Sequence, residues 1–443
     1  MRSGARKIRA AFTSSRLTHF GGVYLFHRFL QQLQLRTYLS MSIPYPQRNN
    51  RYTLSEIILA LIYPMILGLE KIEVSALLKA NSVFQYITGL PNFPDPTTLR
   101  RFLTRASPEL LAGFQKTHND LRKHFLAQPL PRSSYWIDFD STAQTLYGHQ
   151  EGVVKGYNPG HRGKKSYHPL VATEAHLRDA LGGFLRPGNA HTAEGVIPLL
   201  HEVISLLPIT QGLRVRADAG FYEKDFVGEL DGNGIEFAIV ARMTQPVKNR
   251  VAGIKYHAIN RSFSTSEFSY QPHGWKRSHR FVVLRRKVED DPEEKLTLFT
   301  LAKYAYSVII TNLSLTPYGV FTFYKDRAGL ERIIRVLKND FPFGSAPTGN
   351  FDANALYAEL SLFAYNLVTW FKRLCLPQHW QSFTLPTLRH RVLMIPAQFT
   401  RTDNVPTLKF QQSYFHEKTF EFVENRIKRL DPLVSKSSFS RRI

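Results

Sequence analysis

Between residues 133 and 241 the apolar spacing switches repeatedly between two residues and about 3.6, and that alternation constrains the fold more than any other feature of the chain. Tyr135-Trp136-Ile137-Asp138-Phe139-Asp140 alternates with period two and reads as a strand. Tyr167–Thr173 and Gly182–Arg186 read as further strands, and Arg186-Pro187-Gly188-Asn189 as a turn. A helix over Thr192–Leu207 follows, then a strand over Leu213–Asp218. Ala219-Gly220 turns into a helix from Glu223, and Ile235–Ala241 is the next strand. Strands and helices in this order build an α/β layered domain.

The flanks read differently. Residues 1 to 130 carry helical periodicity, in Ser55–Leu69, Glu73–Ala80 and Pro108–Leu126, and are expected to form an all-helical DNA-binding domain. Asp95 suits an N-cap and Pro96 the first helical position, which would place Arg100 and Arg101 on the opening turns of a helix that either touches DNA or is an ordinary capped surface helix. The apolar run Ile57 to Leu69 contains Pro64 and is shorter than the ~18 residues of a membrane span, so it is expected to be a buried helix. Residues 242 to 320 hold several short β-like runs and an acidic turn at Asp290–Glu294, and read as a β-rich insertion. A helical segment over 321–376 follows, and residues 377 to 443 are expected to be a basic, mobile C-terminal region.

The chain carries a net charge of +23 with a pI near 10. That excess favours a polyanionic partner, and nucleic acid is the commonest. The loop from Gly148 to Lys165, with Tyr157, Lys164 and Lys165, is read as tracking DNA, beside the alternative of a solvated loop. The basic opening (Arg2, Arg6, Lys7, Arg9) fits a DNA-contacting arm and an organelle transit peptide equally. Cys375 is the single cysteine, which excludes an intramolecular disulfide and a Cys-based zinc site. No membrane anchor is evident.

Residues 324 to 338 form a two-faced helix when wound at about 100° per residue. Leu330, Ile333, Ile334 and Leu337 make a core stripe; Arg327, Glu331, Arg335 and Lys338 lie opposite, with Tyr324 at the start. An ordinary i, i+4 pair on a solvated helix would look similar. Two strand-borne acids complete a different picture. Asp140 precedes Ser141-Thr142, and Asp218 stands at the carboxyl end of a later strand, where ligand sites of open α/β sheets lie. Hard divalent cations take oxygen ligands, so Asp140, Asp218 and Glu331 suit Mg²⁺ or Mn²⁺, with two ions acting on a phosphodiester. Asp138 shares a strand face with Asp140 and is either an auxiliary ligand or a paired acid. A two-carboxylate glycosidase fits poorly, because Asp138 and Asp140 would hold both carboxyls on one side of a substrate.

Tyr324, Arg327, Glu331 and Lys338 fill the pattern Y-x2-R-x3-E-x6-K, which resembles the signature of bacterial insertion-sequence transposases of the DDE class. Asp140-Ser141-Thr142 and Ala217-Asp218-Ala219-Gly220-Phe221-Tyr222 are similar to the first and second aspartate motifs of that family. Gly156-Tyr157-Asn158, Ser166-Tyr167-His168-Pro169-Leu170 and Leu185-Arg186-Pro187-Gly188-Asn189 resemble a subgroup within it. The resemblance spans roughly residues 133 to 375. It implies an RNase H-like core in two parts, 131–241 and 321–376, interrupted by the insertion. It implies that Asp140, Asp218 and Glu331 are the catalytic metal ligands, and that Tyr324, Arg327 and Lys338 hold DNA phosphates, with Arg335 on the same face. Trp275, between cations in the insertion, either stacks a flipped base, as related transposases do, or is a plain packing aromatic.

The function so implied is cut-and-paste DNA transposition. Terminal inverted repeats are bound, water attacks the phosphodiester in line, and the freed 3′-hydroxyl attacks target DNA. A homodimer in a synaptic complex, in a bacterial cytoplasm at the nucleoid, is implied with it. Two alternatives stand beside this one: a metal-dependent nuclease without strand transfer, and a catalytically dead, transposase-derived DNA-binding protein.

Overall fold

The computed structural model describes residues 11–434, apart from 44, 46–50, 70, 129–131, 159, 209–211, 288–298, 302–303 and 415. Two compact units divide the chain: residues 1–105 with 370–443, and residues 106–369.

The first unit is mainly helical. A two-residue strand, β1 (Leu17–Thr18), precedes α1 (Val23–Gln32), α2 (Leu35–Ser42) and α3 (Leu54–Leu67). α3 is buried on all sides, Pro64 included, as befits a helix apolar all round. A capping box starts it: Thr53 accepts from the Glu56 amide while the Glu56 carboxylate accepts from the Thr53 amide. Gly68, at φ 77°, ends it. The predicted helix over 73–80 is split into a 3₁₀ turn, Ile72–Ser75, and α4 (Ala76–Lys79). α5 (Ser82–Thr88) and α6 (Pro96–Thr104) follow, and Asp95 caps α6 by accepting from the Thr97 amide. The C-terminal region departs from the expected mobile tail. Strands Ala397–Thr402 and Val405–Lys409 form a hairpin whose outer edge pairs with β1, and Glu417–Ile427 is a helix that buries Val423 and Ile427. Its period-two and helical stretches are short, and its basic composition outweighed them in the sequence.

The second unit starts with α7 (Pro108–Leu126), so the helical region expected to end at 130 contributes its last helix to the sheet unit. The strands are β2 (Tyr135–Ser141), β3 (Gln144–Thr145), β4 (Val154–Lys155), β5 (Lys165–Tyr167), β6 (Leu170–Glu174) and β7 (Ala180–Phe184). The Gly148–Lys165 stretch is therefore not one plain loop: β3, β5 and β4 make a small sheet of their own. Next come α8 (Val196–Leu206), β8 (Leu213–Ala217), α9 (Lys224–Gly232), β9 (Glu236–Val240), α10 (Gln245–Gly253), β10 (His257–Ala258), β11 (Phe263–Tyr270), β12 (His279–Lys287), β13 (Phe299–Leu301) and β14 (Tyr304–Thr311). α11 (Pro317–Lys325), α12 (Ala328–Asn339) and α13 (Phe351–Cys375) complete the series.

One large mixed sheet runs β10-β11-β12-β14-β9-β8-β2-β6-β7, with β13 also on β14. β2, β8 and β9 are parallel; the other pairs are antiparallel. The expected insertion is thus no separate module. Its strands extend the sheet outward from β9, because β14 pairs antiparallel with β9 and carries β12 and β11 with it. The acidic turn at 290–294 lies outside the described residues.

Period-two alternation sorts side chains between the two faces. Tyr135, Ile137 and Phe139 of β2, Val215 and Ala217 of β8, and Phe237 and Ile239 of β9 meet α8 and α9 in the main core. On the other face Ala238, Val282 and Ile309 pack under Val320, Phe321 and Phe323 of α11. Trp136, Asp138 and Asp140 alternate with the main-core residues of β2 and so belong to this second face.

Candidate functional site

β2 and β8 are neighbours with Phe139 opposite Ala217. Asp140 and Asp218 are the next residues along each strand, so both carboxylates leave the carboxyl ends of adjacent parallel strands. The backbone holds each: Asp140 Oδ1 accepts from the Ser141 amide at 2.9 Å, and Asp218 Oδ1 from the Gly220 amide at 2.9 Å. Burial pushes the Asp140 carboxyl up to about 6; Arg327 opposes the rise and the charge of Asp218 adds to it. Two acids confined together in this way favour a cation between them.

Residues 324–338 do not form one helix. α11 ends at Lys325 and α12 starts after Arg327, which caps it. The break turns Arg327 inward. It is 7% exposed, its Nη2 donates to the Phe139 carbonyl at 3.0 Å and lies 3.3 Å from Asp140 Oδ1. Burial works against its charge, but the surrounding acids, Asp140 foremost, raise its pKa overall. Its Nε is buried without a hydrogen-bond partner. Tyr324, at the end of α11, is pushed up to about 12 by burial, with Arg327 opposing and Asp218, Asp140 and Asp138 adding. Lys338, three turns along α12, donates to Thr142 Oγ1 and the Ala143 carbonyl, each at 3.1 Å. Burial lowers its pKa, with Asp140 opposing.

The core stripe of α12 is as the sequence predicts: Leu330, Ile333, Ile334 and Leu337 are all buried. Glu331 and Arg335 are exposed. Among the described residues no three His, Cys, Asp or Glu side chains are gathered as a metal site. The structure brings Asp140, Asp218, Arg327, Tyr324 and Lys338 together, and Glu331 is exposed on α12 between Arg327 and Lys338. The pair Asp140 and Asp218 still supplies a hard, anionic oxygen set. Mg²⁺ commonly takes only one or two carboxylates and completes its shell with water and substrate phosphate, so the residues fit such an ion.

Asp138 is a paired acid. Arg216 Nε and Nη2 donate to its two oxygens at 2.7 and 2.8 Å, and Arg216 Nη1 donates to the Phe323 carbonyl at 2.7 Å. Both residues are almost fully buried. The guanidinium also lies 5.3 Å from the Trp136 ring centre and 5.1 Å from that of Phe323. This pair fastens the end of α11 to the two strands that bear Asp140 and Asp218. Arg216 was missed from the sequence, although Leu-Arg-Val-Arg-Ala places its two arginines on one strand face.

The Arg186 motif has a structural cause too. Its guanidinium is buried and donates to the carbonyls of His168, His191, Thr192 and Glu194. A Cβ on Gly188 would strike the carbonyls of Ser166 and Val154, and one on Gly156 would strike that of Gly188. These backbones meet too closely for any other residue. His168, in the short connection between β5 and β6, is buried and bonded to the Ala190 carbonyl. Trp275 is half-buried, its ring 5.1 Å from that of Tyr222. Lys164, Lys165 and Arg101 are exposed, and Arg100 pairs with Glu73. No helix among the described residues is long and apolar enough to cross a membrane.

The sequence matches the family Transposase DDE domain group 1 over residues 2–432. No curated protein matches the chain. Among solved structures, a cryo-EM structure of a piggyBac transposase synaptic complex with hairpin DNA is similar at a TM-score of 0.45 and 10% identity, over 95% of this chain and 84% of that chain. The aspartates on adjacent strand ends and the family match agree, and the chain belongs to the DDE transposases, in domain group 1.

Proposed function

We propose that the chain is a DNA transposase that binds the terminal inverted repeats of its own element, cuts there and joins the freed end to target DNA. One observation carries this: Asp140 and Asp218 on neighbouring strand ends, under an α11–α12 break that delivers Arg327 and Lys338. In this reading the sheet from β7 to β9 and the helices after it are the RNase H-like core. Asp140 and Asp218 hold Mg²⁺ or Mn²⁺, with Glu331 as the third ligand in the DNA-bound state. When bound there, such ions make water acidic enough to attack and stabilise the leaving oxygen.

The protein's own groups do the remaining work. Arg327 holds its positive charge at Asp140, and Lys338 and Tyr324 lie near it, so the added charge of an in-line attack meets fixed cations. Arg335, Arg100, Arg101, Lys164 and Lys165 neutralise phosphates farther along the duplex. Trp275 offers its open edge to DNA while its other face stays on Tyr222. A homodimer bridging two ends completes the arrangement.

The test uses purified protein, Mg²⁺ or Mn²⁺, and labelled DNA carrying the sequence that flanks the gene. Cutting and joining are expected, and Asp140→Asn should abolish both while leaving DNA binding intact. Cutting without joining would point to a nuclease. Wild-type protein that binds the ends and never cuts would establish the other reading, DNA binding without catalysis.

A further inference from the structure

A cavity of about 450 Å³ lies in the helical unit, between α1, α2, α3 and Gly89. Nothing in the proposed transposition chemistry uses it. Arg28 and Arg36 both line it. Arg28 Nη1 makes only a long contact of 3.5 Å to Gln31 Oε1, and Arg36 Nη2 donates to the carbonyls of Thr88 and Gly89. Among the described residues neither arginine has a carboxylate partner, and the Nε of each is buried without a hydrogen bond. Two such guanidiniums against one cavity leave a strong, unanswered demand for an anion.

The rest of the wall narrows the kind of anion. Leu30, Leu35 and Leu59 are buried and line an apolar side. Gln31 and Gln34 add amide donors and acceptors. Gln34 takes φ 56°, a left-handed conformation uncommon outside glycine, where α1 turns into α2. Such backbone is often kept where a ligand is gripped. His27 shares a 2.7 Å hydrogen bond with Tyr63, and burial, with Arg36 and Arg28 adding, lowers its pKa to about 4. It therefore stays neutral and leaves the positive charge to the arginines. The volume lies within the roughly 300–1,000 Å³ usual for small organic ligands. An inorganic phosphate alone would leave most of it to water.

We propose that this cavity is a nucleotide site, with the phosphate on Arg28 and Arg36 and the base or sugar against Leu30, Leu35 and Leu59. The nucleotide is either free or the terminal residue of a DNA strand. The reading is independent of the catalytic proposal.

The experiment measures binding of fluorescent dAMP to the full chain by anisotropy, without divalent metal. Unlabelled dAMP, a short 5′-phosphorylated deoxyoligonucleotide and inorganic phosphate serve as competitors. Saturable binding is expected, and Arg28→Gln should weaken it about tenfold or more. Arg36→Gln should do the same, but Arg28 carries the test because Arg36 also holds two carbonyls. Arg28→Lys should restore part of the affinity. Arg261→Gln, which removes one charge from the exposed surface of the other unit, should change nothing. Stronger competition by the oligonucleotide assigns the site to a strand end, and stronger competition by dAMP to a free nucleotide; both support it. No saturable binding, or a folded Arg28→Gln protein with unchanged affinity, overturns it. Since neither metal nor duplex is present, that failure says nothing about cutting at Asp140, and a failure to cut says nothing about this cavity.

Discussion

Asp140 shows how one side chain can be held short of its ordinary state. Its carboxyl lies beside a guanidinium, yet burial wins and its pKa stands at about 6 instead of 3.8. Below about pH 4 it is protonated whether folded or unfolded. Between 4 and 6 the folded chain keeps a proton that the unfolded chain releases. Its contribution to stability is therefore present at low pH and lost as pH rises through 6. Asp140→Asn should accordingly raise the thermal midpoint at pH 8 in metal-free buffer, by the equivalent of about 1–3 kcal/mol, and leave it unchanged at pH 4. Cutting should fall as pH drops through 6, and Arg327→Met should move that limb upward, since Arg327 opposes the rise. A pH–rate profile of both proteins checks the sign. Glu331 is the contrasting residue, because its carboxyl is exposed. If it closes on the aspartates when DNA binds, Glu331→Gln should slow cutting about 10²-fold or more and spare DNA affinity; unchanged cutting would remove it from the site.

At the scale of elements, the site depends on where α11 stops. Arg216 ties Asp138 of β2 to the Phe323 carbonyl of α11, two residues before the helix ends. Arg216→Met leaves a buried carboxylate without its partner and should cost about 3–5 kcal/mol in denaturant unfolding. Replacing both residues, Asp138→Val with Arg216→Leu, should recover most of that stability but not the cutting rate, because α11 then loses its hydrogen bond. Period-two alternation made β2, β8 and β9 readable from sequence, and the apolar stripe did the same for α12, since both signals are local. The α11–α12 break was not readable: residues 324–338 keep helical spacing throughout, and the contact that goes with it joins Arg327 to Asp140, 187 positions earlier. The role of β10 to β14 was hidden for a similar reason. Each strand was visible, but whether it forms an insertion or continues the sheet depends on β14 pairing with β9. The Asp138–Arg216 pair likewise exists only through the register of two strands 78 residues apart.

For the whole molecule, the excess of 58 Lys and Arg over 35 Asp and Glu is a statement about partners rather than about fold. The cations differ in how free they are to meet phosphate. Lys164, Lys165 and Arg101 are exposed, whereas Arg100 already pairs with Glu73. If the proposed contacts are made, log K for a terminal-repeat duplex should fall linearly with log salt, by about 0.9 for each phosphate neutralised. Lys164→Gln, Lys165→Gln and Arg101→Gln should each make that slope shallower by about one phosphate. Arg100→Gln should change it less, because binding must first release Glu73, and Glu73→Gln should strengthen binding by freeing Arg100. Equilibrium titrations at a series of salt concentrations separate these cases. Three unchanged slopes for Lys164, Lys165 and Arg101 would take these three side chains out of the duplex contact, while leaving the chemistry at Asp140 and Asp218 to be judged by its own cutting assay.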